Sequence, residues 1–159
     1  MGDELVIIGR VLLALLLGGL VGMERTIRGR AAGFRTHALV CLASALLMMA
    51  AVYQGRWMSS NVIGSVTIDP TRTAQGIMTG IGFLGAGVIF KEGLSVRGLT
   101  TAASIWITAA VGCMIGFGAK LPAAVCAVFV AVLIRVVYKV SDALKRVRHR
   151  ARSEIPGAR

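Results

Sequence analysis

Of the charged residues in this 159-residue chain only seven are acidic, and three of them stand where a carboxylate could do chemistry. Glu24 ends a long apolar run beside Arg25 and Arg28, Asp69 precedes Pro70 and Arg72, and Glu92 lies in a short basic loop. One or two carboxylates at a wet membrane edge can hold magnesium through its water shell, because the ion prefers an octahedron of oxygens and gives up its waters reluctantly. Glu24 and Asp69 are therefore the candidate metal ligands, with Mg2+ as ligand or substrate and no resident cofactor expected. The same residues have plainer uses. Asp69 before Pro70 has the pattern of a helix N-cap with proline at the first helical position, and Glu24 beside arginines has that of a charge pair.

His37 follows Arg35 and Thr36 at the start of an apolar run. It can change charge near neutral pH or act as an anchor and hydrogen bonder. His149 sits in a basic tail. The two histidines have no metal-ligand spacing, the serines have no positioned base, and no acidic cluster suits phosphoryl transfer. Catalytic residues, and an enzyme, are not expected. Cys41, Cys113 and Cys126 lie in apolar runs without a CxxC partner and read as small hydrophobes. Trp57, Trp106 and Tyr138 read as packing or interfacial residues.

The elements that must position these groups follow from composition. The chain is 56% hydrophobic and 16% charged, with a mean hydropathy of +0.77. A soluble globule of this size cannot hide so much apolar surface, which excludes a secreted disulfide scaffold, a disordered chain and a soluble nucleotide-binding α/β domain. Five apolar runs cover residues 5–23, 36–53, 73–90, 99–118 and 121–138, each near the roughly 20 residues that cross a ~30 Å hydrocarbon layer. The first is expected to be a retained span, since acidic Asp3 and Glu4 precede it where a signal peptide would be basic. The glycine-rich third run is polar enough that a broken or re-entrant segment is an alternative.

Charge orients the runs. Arg25, Arg28, Arg30, Arg35, Lys91, Arg97, Lys139, Lys145, Arg146, Arg148, Arg150, Arg152 and Arg159 fall on one side, and Arg56, Arg72 and Lys120 on the other, with Arg10 and Arg135 inside runs near their ends. The positive-inside bias places the N-terminus outside and the C-terminus in the cytoplasm, the odd number of crossings that five spans require. Glu24 and Asp69 then lie on opposite sides of the bilayer, two ends of a route rather than one site. No acidic residue lies at the midplane, which weighs against a dedicated cation pump. The net charge of +11 becomes an orientation signal. The tail KVSDALKRVRHRARSE is expected to touch anionic phospholipid, with a cytoplasmic protein partner as the alternative and no nucleic acid.

Small residues indicate how the runs meet. Arg10, Ala14, Gly18 and Gly22 recur every four residues, with the arginine able to snorkel toward the outer headgroups. The third run carries Gly76, Gly80, Gly82, Gly85 and Gly87, and the fourth places Thr100, Ser104, Thr108, Gly112 and Gly116 on one stripe. Such stripes permit close helix contact, whether in a compact core, a homodimer interface or a narrow pathway. GIGFLGAG is no phosphate loop, because the lysine and hydroxyl pair of a Walker motif is missing. An unwound stretch offering carbonyl oxygens to an ion is an alternative.

Taken in order, GGLVGMERTIRGRAAGFRTHALVC (18–41), DPTRTAQGIMTGIGFLGAGVIFKEGLSVRGLTTAASIWITAAVGCMIGFG (69–118) and the apolar fifth run resemble the membrane domain of the MgtC/SapB family over most of residues 5–140. The family's acidic position falls on Glu24, followed by Arg25; its AGxRTH element on Ala32, Gly33, Arg35, Thr36 and His37; its DPxR element on Asp69, Pro70 and Arg72. Its glycine-rich element falls on Gly80, Gly82, Gly85 and Gly87, and its RGLTTAASIW element on Arg97 to Trp106. The resemblance implies an all-α membrane protein, a compact polytopic bundle of five transmembrane helices over residues 1–140 in the bacterial inner membrane, followed by a short basic cytoplasmic tail at 141–159. It further implies a role in magnesium homeostasis and, in pathogens, virulence. Members resemble either magnesium transporters or regulators of membrane partners such as an ATP synthase or a magnesium-transporting ATPase. Longer members add a soluble cytoplasmic domain after the spans, so regulation through such a domain is not expected from the 159 residues here.

Overall fold

A computed structural model of the chain describes residues 2–57 and 69–153. Helix α1, Gly2–Ile27, is an apolar run without proline, with Asp3 and Glu4 in its first turn and Arg25 in its last, the polarity that suits the helix dipole. Helix α2, Phe34–Val52, returns antiparallel after a turn that contains Gly29 at φ +62°. A single turn, α3 (Gln54–Trp57), follows it. Helix α4, Pro70–Val88, begins on Asp69, whose side chain accepts from the Thr71 amide, with Pro70 in the first turn. The cap expected from Asp69 and Pro70 is the one that forms.

The third apolar run ends earlier than its hydropathy suggests. Phe90 leaves the helix and starts β1 (Phe90–Glu92), which pairs antiparallel with β2 (Ser95–Arg97) in the register Phe90↔Arg97. Gly93 at φ +61° supplies the positive angle of a two-residue hairpin turn. Helix α5, Leu99–Phe117, starts immediately afterwards on Gly98 at φ +90°. Any Cβ at Gly98 would collide with the Val88 carbonyl oxygen, so the end of α4 and the start of α5 meet there. Helix α6, Lys120–Ser153, does not break at residue 140: its apolar part, Lys120–Ser141, continues as helix into the basic segment. The side chains of Lys145, Arg148, His149, Arg150 and Arg152, and Arg159 itself, lie outside the described residues, as does the side chain of Trp57.

Four helices among the described residues are long and apolar enough to cross a membrane: α1, α2, α5 and the first part of α6. The structure is thus a compact all-α bundle of a polytopic membrane protein. Helix α4 is continuous and, at 19 residues, about 28 Å long, but its first turns carry Thr71, Arg72, Thr73 and Gln75. It packs along α5 and, less extensively, α2.

Helix α2 lies between α1 and α5, and glycine lets the three approach closely. A Cβ on Gly18 would sit 2.6 Å from both the Cys41 Cβ and the His37 carbonyl oxygen, and one on Gly116 2.5 Å from the Ala45 carbonyl. Gly22 and Gly112 lie against α2 or the turn before it in the same way. Between these backbones the core is small and apolar: Ala14, Val21, Cys41, Ala45, Met49, Val111 and Ile115 are buried together.

The remaining small residues behave differently. Gly76, Gly80, Gly82 and Gly87 have nothing within 4 Å of a built Cβ, and Gly85 touches only the Ala102 methyl at 3.6 Å. Among the described residues no backbone presses against these four: Gly76 and Gly80 border a groove against Leu39, Val40 and Leu47 of α2, while Ile77 and Ile81 pack with Ile105 and Ala109 of α5. The stripe on α5 begins at buried Thr101, whereas Thr100 is exposed. Arg10 is tied to the end of α5. Its Nη1 donates to the Gly116 carbonyl at 2.8 Å, and its guanidinium lies 5.4 Å from the Tyr53 ring centroid, because the end of α5 offers carbonyls that lack helical partners.

Candidate functional site

Charged and hydrogen-bonding side chains collect at the end of the bundle where α1 turns into α2, the hairpin joins α4 to α5, and α6 leaves its apolar part. Glu24 is in the last turns of α1, and each of its oxygens faces an arginine. Arg28 Nε donates to Oε1 at 2.5 Å and Arg135 Nε, from α6, to Oε2 at 3.3 Å. The i,i+4 spacing of Glu24 and Arg28 makes the first contact local, while the second ties α1 to α6. The Tyr138 ring, one turn beyond Arg135, lies under Arg28 and Arg30 at 4.5 and 5.2 Å from their guanidinium carbons.

Arg25 points the other way, into the bundle, and is 1% exposed. Its Nε donates to the Ala32 carbonyl at 3.0 Å and its Nη2 to Thr101 Oγ1 at 2.5 Å. Its Nη1 has no hydrogen-bond partner among the described residues. One turn deeper, His37 is fully buried, with Nδ1 2.8 Å from the Gly33 carbonyl and Nε2 3.1 Å from Ser104 Oγ. A carbonyl only accepts, so Nδ1 carries the proton; Ser104 Oγ also lies 2.8 Å from the Thr101 carbonyl, and its single hydrogen serves either that carbonyl or Nε2. Thr108 closes the ladder by donating back to the Ser104 carbonyl at 2.7 Å. His37 is thus hydrogen-bonded at both ring nitrogens.

The other sequence candidates lie apart. Arg35 and Thr36 sit at the start of α2, lining a pocket of about 580 Å³ with Arg30, Thr26, Met23 and Phe34. Arg97 pairs with Glu92 across the hairpin at 2.8 Å. Asp69 is at the opposite end of α4 from the Val88–Gly98 junction, and so about 28 Å from the Glu24 end, in a local cluster with Thr71 and with Arg72 at 3.7 Å. Hydrogen bonds from Thr71, first its hydroxyl and then its amide, hold the Asp69 carboxyl below the usual aspartate range. At that same end Arg56 pairs with Asp3 at 2.8 Å. No group of three or more His, Cys, Asp or Glu that could hold a metal ion occurs among the described residues.

Sequence reasoning passed over Arg135, Tyr138, Arg30 and Thr101 as site residues. The i,i+3 spacing of Arg135 and Tyr138 in an otherwise apolar helix was the available signal, since it places a cation and an aromatic hydroxyl on one face. Thr101 carried none, because its partner is on α1.

Residues 11–143, the stretch that contains all of this cluster, match the family described as MgtC family. The chain belongs to the MgtC family. It is 50% identical over 117 residues to "Protein MgtC" of Brucella abortus (strain 2308), covering 74% of this chain and 45% of that protein. To "Putative magnesium transporter YhiD" of Escherichia coli (strain K12) it is 46% identical over 109 residues, covering 69% and 50%. To "Protein SrpB" of Synechococcus elongatus it is 43% identical over 125 residues, covering 74% and 66%. The chain thus spans about half the length of the first two of these curated relatives. No solved structure matches it. MgtC membership, with four helices fit to cross a bilayer, makes this a multi-pass protein of the inner membrane.

Proposed function

We propose that this MgtC-family chain is a small regulator in magnesium homeostasis that acts through membrane partners and does not itself conduct the ion. The observation that carries the reading is the close packing of the bundle centre. Between the Glu24 end and the Arg10 end, α1, α2 and α5 meet through Ala14, Gly18, Cys41, Ala45, Gly112 and Ile115, and the buried Ser104 and Thr108 hydroxyls there hydrogen-bond to carbonyls of their own helix, with no carboxylate among the described residues of that stretch to hold a hydrated dication. The resemblance of the chain to a protein named as a magnesium transporter supports the link to magnesium.

In this reading α4 is a fifth span, the N-terminus is outside and the C-terminus cytoplasmic. The grouping of Arg25, Arg28, Arg30, Lys91, Arg97 and Arg135 at one end of the bundle supports that orientation. The face of α4 with Gly76 and Gly80, which borders an apolar groove against α2, is where a second copy or a membrane ATPase would pack. The basic end of α6 rests on anionic phospholipid. Glu24, held between two arginines, serves as an ion-pair centre, and Asp69 serves as a cap.

The test is magnesium flux into proteoliposomes containing the purified chain, under a working gradient and membrane potential. No protein-dependent flux is expected. Flux that is abolished in folded Glu24→Gln or Asp69→Asn variants would establish the second reading, a permease with these residues near opposite ends of a polar route.

A further inference from the structure

Helix α4 leans on α5 through Ile77 and Ile81, and its Gly76 and Gly80 have no side chains to close the gap to α2. A groove of about 560 Å³ remains there, between Val40, Ala43 and Leu47 of α2 and Gly76, Gly80 and Leu84 of α4. Val40 and Leu84 also line a smaller volume of about 190 Å³, closed by Ala32, Thr36, Val88 and Ile105. The two volumes are therefore one slot with a recess at its end. The walls of the recess are fixed. Arg25 Nε holds the Ala32 carbonyl from behind at 3.0 Å, and the end of α4 is pinned where Gly98 meets the Val88 carbonyl.

The dimensions of the slot decide what fits it. It starts beside the α1–α2 turn, whose Arg28 and Arg30 mark a membrane edge. From Thr36 to Leu47 it runs roughly 16 Å along α2, close to the ~15 Å that one leaflet contributes to a ~30 Å hydrocarbon layer. A transmembrane helix, about 10–12 Å across with its side chains, is too wide for the recess. A dry apolar cavity of about 150 Å³, by contrast, takes a molecule the size of benzene. Thr36 supplies the one side-chain hydroxyl of the recess, whereas a buried water needs two to four polar partners. Left empty, the slot would forfeit dispersion contact along its whole lining.

We propose that the slot binds one acyl chain of a membrane phospholipid, from the leaflet at the arginine-rich end, lying in the recess beside Ala32 and Ile105 and along Gly80 and Gly76. The chain supplies the apolar contact between α4 and α2 that the glycines leave unmade. The site rests on α4 lying in the bilayer, as the fifth span of the reading above. It is separate from the contact of the α6 tail with headgroups, because it recognises the hydrocarbon and not the charge.

The experiment uses the full chain in phosphatidylcholine nanodiscs containing a trace of phosphatidylcholine with a diazirine on one acyl chain. After irradiation, the adducts are mapped by proteolysis and mass spectrometry. Adducts are expected to concentrate on Val40, Ile81 and Leu84, with Ile81, 9% exposed, labelled more than Phe129 of α6, 67% exposed. A Cβ at Gly76 or Gly80 meets nothing within 4 Å, so the double variant G76L/G80L fills the slot without displacing the chain's own atoms. It should lower the slot adducts several-fold and leave those on α6 unchanged. The same substitutions at two α4 positions that do not line the slot, G82L/G87L, should leave the slot adducts in place. If G76L/G80L does not fold, Gly80→Leu alone gives the same reading. Adducts that simply follow exposure, with Phe83 of α4 and Phe129 labelled above Ile81, would overturn the site while leaving α4 as a span. So would slot adducts unchanged in G76L/G80L, or a slot free of adducts and crosslinked to a second copy. Absence of adducts from every part of α4 would overturn the site and the fifth span together.

Discussion

Arg25 Nη2 lies 2.5 Å from Thr101 Oγ1, a contact that joins the last turn of α1 to the first turn of α5 inside the bundle. Tyr138 of α6 is a further side-chain neighbour of Arg25. The adjacent Thr100 faces outward, so two neighbouring threonines of the same element have opposite roles.

That difference is measurable. Thr101→Val keeps the shape of the side chain and removes its oxygen, taking away the partner of Arg25 Nη2 in a buried setting. The expected cost is about 1–3 kcal/mol of stability, read from denaturant unfolding in detergent, with Thr101→Ser restoring most of it. Thr100→Val should fall within about 0.5 kcal/mol of wild type. Equal effects of the two valines would mean that Arg25 does not depend on Thr101.

The glycines divide in the same manner. Gly112→Ala drives a methyl into the Cys41 carbonyl and the Ser44 side chain, and overpacking of this kind costs about 1–3 kcal/mol. Gly80→Ala meets nothing within 4 Å and replaces a poor helix former by the best one, worth up to about 1 kcal/mol in favour of the helix. Unfolding of the two variants should therefore move in opposite directions. If the α4 face serves a partner, Gly80→Ala loses co-purification of that partner while keeping its stability.

Much of this arrangement is legible in the sequence. Apolar run length finds the helices, the Asp69–Pro70 pair finds a cap, and the i,i+4 spacing of Glu24 and Arg28 finds an ion pair. What is not legible depends on which neighbour a helix meets. A stripe drawn every four residues turns about 40° per step against a helix of 3.6 residues per turn, so Thr100 and Gly116 end well apart around α5 although each link between them looks continuous. Gly18 and Gly80 have the same local pattern, yet one lies tight against α2 and a Cβ on the other meets nothing within 4 Å among the described residues. The Phe90–Arg97 hairpin escapes a hydropathy reading because Phe90 is as apolar as the helix it leaves.

Acid should act on the start of α4 through Asp69. The Asp69 carboxyl, held below its usual range by the Thr71 hydroxyl and amide, titrates at a lower pH folded than unfolded. Its contribution is complete above the ordinary aspartate value of about 3.9 and is lost as pH falls through the lowered folded value. Asp69→Asn keeps a capping oxygen without the titration. The difference in unfolding midpoint between wild type and Asp69→Asn should therefore be constant from neutral pH down to mildly acidic conditions and change only below that window. A change centred near neutrality would assign the dependence to another group.

The two ends of the bundle can be told apart by labelling. Leu94, in the hairpin turn, is fully exposed, at the end where Gly98 meets Val88. Arg56 is at the far end, beside Asp3 and Tyr53. Cys41 and Cys113 are buried and Cys126 is half-buried, so a Cys126→Ser background leaves little native thiol accessible to an impermeant maleimide. In intact cells a cysteine at position 56 should label, and one at position 94 should label only after the membrane is opened, because the arginine-rich end faces the cytoplasm under the positive-inside bias. Labelling of both positions in intact cells would refute α4 as a span, since the helix that separates them would then begin and end on one side. Labelling of position 94 alone would keep the spans and reverse the orientation.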